Sequence, residues 1–195
     1  MRPGGAAAVL ALLLAGLPGC AHSTYEKARE RWTRNERITK ALDMPLNVHA
    51  TLFTPEFTVE YLKRRAEMFR LTGAEQAAQE RQLRDDASGG YYFFVAAASH
   101  DLSWLDFERA GSVWRIALVN GRGEQVMPSR IQAERRVTAT VVELFPYVTE
   151  FFRTYTLRFP LTLPDGRPLL RGGEEQLTLL FTGPLGRAEL VWRLP

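Results

Sequence analysis

The chain has one cysteine, Cys20, in 195 residues, and three histidines. One cysteine excludes an intramolecular disulfide, so chain length must supply the core. A mature chain of about 150 residues or more buries roughly 70% of its unfolded surface and needs neither a disulfide nor a metal to fold. Lysine is scarce: Lys27, Lys40 and Lys63 are the three, and arginine makes up the rest of the basic side. The net charge of +3 is too small to argue for a nucleic-acid partner. No GxSxG, HExxH or phosphate-loop pattern is present. Internal repeats and low-complexity segments are absent after residue 20.

The first feature that is present is an apolar run from Ala6 to Leu17, preceded by Arg2 and followed by Pro18, Gly19 and Cys20. A short positive head, an apolar stretch too short to span a bilayer and small residues at its exit are the layout of a secretory signal. Leu17-Pro18-Gly19-Cys20 resembles the lipobox of bacterial lipoproteins, with Cys20 standing where the motif needs it. The resemblance covers the first twenty residues alone. It implies cleavage after residue 19, acylation of Cys20 (palmitate being a usual chain) and a mature protein of residues 20–195. Each buried methylene contributes about 0.8 kcal/mol, so two or more acyl chains hold such a protein at the membrane almost permanently. Ala21, rather than Asp, implies passage to the outer membrane in that family.

Residues 20–44 read as a lipidated N-terminus and a charged tether able to turn helical, Glu30 and Arg34 having the i,i+4 order of a weak pair. Lys27, Arg29, Arg31, Arg34, Arg37 and Lys40 face three acids, Glu26, Glu30 and Glu36, in a stretch poor in apolar residues. Such a stretch serves as a spacer or lies on anionic headgroups. The fold is expected over residues 45–195. Leu46, Val48, Ala50 and Leu52 alternate with polar residues as in a half-buried strand. Thr54-Pro55-Glu56 starts a helix, with Leu62, Ala66 and Phe69 on its apolar stripe, and Thr72 with Glu75 caps a second. These helices form an insertion at about 55–87. From Tyr91 onward short β-rich runs recur: Tyr91–Ser99, Val113–Val119, Gln125–Gln132 interrupted by Pro128, Val137–Leu144, Thr154–Pro160, Gln176–Thr182 and Arg187–Leu194. Asn120-Gly121 reads as a two-residue hairpin, and Gly183-Pro184-Leu185-Gly186 as another turn. The expected class is mainly β: an immunoglobulin-like antiparallel sandwich of about eight strands, with the helical insertion after the first. A closed eight-stranded barrel is the alternative.

Chemistry is sparse. His22 falls in the tether, and His49 points outward on its strand. Ser99-His100-Asp101 spells a triad, but neighbours on an extended chain face opposite ways and cannot form a relay. Asp101, Asp106 and Glu108 are candidate oxygen ligands for calcium, although their spacing fits no known loop and a solvated loop held by Trp104 and Phe107 is favoured. Asp85-Asp86 and Glu174-Glu175 are adjacent pairs that diverge on helix or strand. The richest connector is Phe145 to Phe152. Its aromatics Phe145, Tyr147, Phe151 and Phe152 either plug one end of the sandwich, the favoured reading, or offer a partner-binding surface rimmed by Arg135, Arg136, Arg153 and Arg158.

The expectation is therefore a non-catalytic envelope lipoprotein that binds another protein as an accessory module, without cofactor, metal or nucleic acid. The alternative is a carrier whose Tyr91, Phe93, Trp114 and Phe151 line an apolar cavity. An enzyme acting on envelope polymers through paired carboxylates ranks third.

Overall fold

The computed structural model describes residues 23–134, 136–173 and 175–194. The signal segment, Cys20, His22, Arg135 and Glu174, with the side chains at 85–88 and 175, lie outside the described residues.

Two antiparallel sheets pack face to face. The first contains β1 (Thr33–Lys40), β2 (Asp43–Leu52), β3 (Tyr91–Ala98), β6 (Arg130–Glu134) and β7 (Arg153–Phe159), in the order β1-β2-β3-β7-β6. The second contains β4 (Arg115–Asn120), β5 (Gln125–Val126), β8 (Glu175–Gly183) and β9 (Gly186–Leu194), in the order β5-β4-β8-β9. The sheets keep separate hydrogen-bond ladders, so the fold is a β-sandwich and not a barrel.

Alternation explains the interior. Leu46, Val48, Ala50 and Leu52 of β2 turn inward, opposite Phe93, Val95 and Ala97 of β3 in register. Tyr155, Leu157 and Phe159 of β7 join them, and Ala188, Leu190 and Trp192 of β9 close the core from the second sheet. Phe93 sits between Phe159 and Trp192, with ring centroids 5.7 and 5.3 Å away. Each such side chain contributes about 1.5–3 kcal/mol on leaving water.

The opposite face of the first sheet is covered by helices α1 (Thr24–Trp32) and α2 (Pro55–Phe69) and by the connector that follows α4 (Ala139–Leu144). Thr54 caps α2 through its hydroxyl, and the Thr72–Glu75 capping box opens α3 (Gly73–Ser88). Leu62 of α2 is buried as its stripe requires, whereas Phe69 at the helix end stays half-exposed.

Three expectations need correction. The stretch read as a tether folds: Ser23 caps α1 in a capping box, Tyr25, Ala28 and Trp32 are buried, and β1 pairs with β2 from Thr33↔Thr51 onward. Its charges decorate the outside of elements whose inner faces carry few but large apolar side chains. Val137–Leu144 is not a strand. Thr138 turns its hydroxyl to the amide of Val141 and starts the short helix α4. Gln125–Gln132 is two strands in different sheets. Pro128, which has no N–H to give a ladder, lies where the chain changes sheet.

Candidate functional site

The connector from Phe145 to Phe152 closes over the outer face of the first sheet. Phe145 is buried and stacks on Phe94 of β3 at 4.1 Å. Tyr147 lies half-buried and parallel to His49 of β2, 4.9 Å away at 9°. Phe152 meets the same imidazole edge-on at 5.6 Å. His49 does alternate to the outer face, but that face is roofed, so it is not a free surface histidine. Burial, and then the nearby Arg37 charge, hold its pKa below the ordinary value. Of the four aromatics read as a partner-binding set, Phe151 alone remains well exposed, at 72%.

A polar row runs under this roof. The Thr33 and Thr51 hydroxyl oxygens are 2.7 Å apart, and the Thr51 hydroxyl lies 2.8 Å from the Tyr147 hydroxyl. Burial pushes the Tyr147 phenol well above its usual range, so it stays neutral and serves as a hydrogen-bonding latch.

The loop after β3 uses its polar residues locally. Asp101 accepts the amide of Ser103 at 2.8 Å and starts the 3₁₀ turn Leu102–Trp104; hydrogen bonds with Ser103 hold its carboxyl below the usual range. His100 packs edge-on against Trp104 at 4.7 Å. Asp106 turns one oxygen inward, and Glu108 is exposed. Among the described residues, no group of three or more His, Cys, Asp or Glu gathers as a metal site. Arg153 is likewise committed, donating to the Leu105 carbonyl at 2.7 Å, and Arg158 lies over the Tyr92 ring.

The loops at this end are knitted together. His100 donates its backbone amide to the Met44 carbonyl of β2 at 3.2 Å, and the Arg153 bond joins the start of β7 to the loop after β3. Three exposed apolar residues stand on these loops: Leu42 in the β1–β2 turn, fully exposed, Leu102 after β3 and Phe151 before β7. The opposite end is ionic. Glu124 accepts from Asn120, Arg122 and Arg167 at 2.8, 3.0 and 2.9 Å.

Tyr91, Phe93, Trp114 and Phe151 do not line one space, since Phe93 is locked in the core and Phe151 faces solvent. An open groove of about 470 Å³ lies elsewhere, between Met127, Pro160, Leu163 and Pro164. Sequence reasoning singled out the connector by its aromatic density. It missed Leu42 and Leu102, because a single leucine in a turn carries no pattern.

No family model, no curated protein and no solved structure matches the chain. Among the described residues, no helix is long and apolar enough to cross a membrane.

Proposed function

We propose that the protein is a non-catalytic envelope lipoprotein, anchored through Cys20 in the outer membrane, that binds another envelope protein. The observation that carries this reading is the Leu17-Pro18-Gly19-Cys20 sequence at the end of an apolar signal, with Cys20 the sole cysteine. Partner binding is supported by Leu42, Leu102 and Phe151, which present apolar side chains on loops at one end of the sandwich. The residues with catalytic lettering have structural employment: His100 packs on Trp104, and Asp101 caps a turn.

In-cell cross-linking followed by affinity purification tests the reading. Wild type is expected to capture one discrete protein, and both Cys20→Ser and the double variant Leu102→Asp, Phe151→Asp are expected to lose it. Equal capture by all three, or capture of nothing by wild type, overturns the assembly role.

A further inference from the structure

The anchor and the fold stand closer together than a tether would allow. The capping box fixes Ser23 as the start of α1: its hydroxyl accepts the Glu26 amide and Glu26 accepts the Ser23 amide. The following turn is fastened to the body. Thr24 donates to Glu60 of α2 at 2.7 Å, and the buried Tyr25 donates to the carbonyl of Leu144 in α4 at 2.5 Å. Cys20 and Ser23 are three residues apart, and three extended residues reach at most about 11 Å. One polar layer of a bilayer is about 6 Å deep. An acylated Cys20 therefore holds Ser23 within about 5 Å of the headgroup surface, the difference between those two lengths.

We propose that the helical layer lies flush on the bilayer, with the exposed faces of α1, α2 and α4 around Ser23 as the membrane-contacting surface. This rests on the reading of Cys20 as lipidated. α1 and α2 run antiparallel side by side, because Thr24 meets Glu60 while Trp32 donates to Glu56 at 3.1 Å. On that face α2 exposes Val59 and Lys63, α4 exposes Val142, and α1 exposes Lys27. The apolar side chains suit the headgroup boundary, and the lysines suit phosphate. Charge there is balanced: Lys63 pairs with Glu60, Arg64 pairs with Glu143, and Lys27 stands near Glu26 in sequence. The short link, rather than attraction to anionic lipid, imposes the contact. The second sheet is the layer farthest from the membrane, two packing distances of about 10 Å away, and the loop end carrying Leu42, Leu102 and Phe151 lies to the side, open to a partner.

Cys20 being the sole cysteine makes the test direct. Single cysteines are introduced into the full lipidated protein by Val59→Cys, Val142→Cys, Glu189→Cys and Arg193→Cys, the last two on the outward face of β9. Each is labelled with a fluorophore in phosphatidylcholine vesicles doped with a headgroup-nitroxide lipid. Intact mass confirms the acyl chains in every sample. Val59 and Val142 labels are expected to be quenched several-fold more than the Glu189 and Arg193 labels. A Gly-Ser spacer of about 20 residues after Cys20, with a mean reach of about 25 Å, is expected to abolish that difference. Equal quenching at all four positions, or quenching unchanged by the spacer, in protein whose mass shows the lipid, overturns the flush orientation and leaves the anchor standing. Protein without acyl mass on Cys20 overturns the anchor itself, and the orientation with it.

Discussion

The indole N–H of Trp192 in the last strand donates to the backbone carbonyl of Trp32 at the end of the first helix, 2.9 Å away and 160 residues along the chain. Trp32 in turn donates its own indole N–H to Glu56. The last strand, the end of α1 and the start of α2 are thus joined through a buried side-chain-to-backbone bond and a part-buried one, made by two indoles that also fill the core. Trp192→Phe removes the donor and leaves the Trp32 carbonyl buried. A loss of about 1–3 kcal/mol is expected for that group, read as a lower urea midpoint with unchanged slope. An unchanged midpoint would show that the contact contributes nothing.

The same contact decides where the domain begins. A protein starting at residue 45, as charge density alone suggests, lacks Tyr25, Ala28, Trp32 and the whole of β1. It uncovers Phe57 and the Thr51 edge of the first sheet, and it deprives the Val191 carbonyl of the bond that Arg34 donates at 2.8 Å. Residues 45–195 are expected to give no cooperative thermal transition, whereas residues 23–195 melt in one step. A shorter protein that melts as sharply as the longer one would return α1 and β1 to the status of a tether.

Legibility followed the density of the apolar pattern. β2, β7 and β9 alternate over their full length, and the two-sheet class follows from them. Caps at Thr54 and Thr72 were equally readable, because a hydroxyl before a helix has one local task. The packing of α1 is harder to read than its helicity, since only Tyr25, Ala28 and Trp32 mark its inner face among many charges; their spacing of three and four is the stripe that separates a packed helix from a solvated tether. α4 misled for the opposite reason. Thr138 and Thr140 alternate by accident with Val137, Ala139 and Val141, and most of these are β-branched, while the cap that starts the helix is a single hydroxyl. The turn after β4 lies where Asn120-Gly121 signals it but is longer than the two residues that pair implies: Asn120 closes on Glu124, and the left-handed residue is Gly123, with φ 80°, rather than Gly121. The site was legible as an aromatic connector. Which of its rings face outward depends on partners in other elements, such as Phe94 and His49.

At the ionic end, Asn120 offers its buried amide to both Glu124 and the Leu169 carbonyl, each at 2.8 Å, and so fastens the loop before β8 to the β4–β5 turn. Hydrogen bonds from Asn120, then Arg122, then Arg167 hold the Glu124 carboxyl at about 2 against an ordinary 4.5. A carboxylate with a depressed folded value stabilises the fold above its unfolded pKa and loses that stabilisation as pH falls toward the folded value. The acid limb between about pH 4.5 and 2 is therefore expected to carry a Glu124 contribution. Glu124→Gln should lower the melting temperature at neutral pH and flatten that limb. Parallel limbs for the two proteins would remove Glu124 from the account.

His49 titrates with the opposite sign. It is a base whose folded pKa lies below the ordinary 6.5, because the Tyr147 and Phe152 roof desolvates it and Arg37 repels its charged form. As pH drops through about 6.5 the unfolded chain takes up the proton first, so stability falls until the folded histidine is also protonated, and then levels. Imidazole NMR signals should report a midpoint for His49 below 6.5. Phe152→Ala opens the roof and should move that midpoint up toward 6.5, and Arg37→Gln should move it up by less, because burial is the larger cause. His49→Gln should remove the step from the plot of melting temperature against pH. A wild-type midpoint at or above 6.5 would mean that the roof lifts in solution; the connector would then be a mobile cover over the sheet, and Tyr147 and Phe152 would rejoin Phe151 as candidates for partner contact.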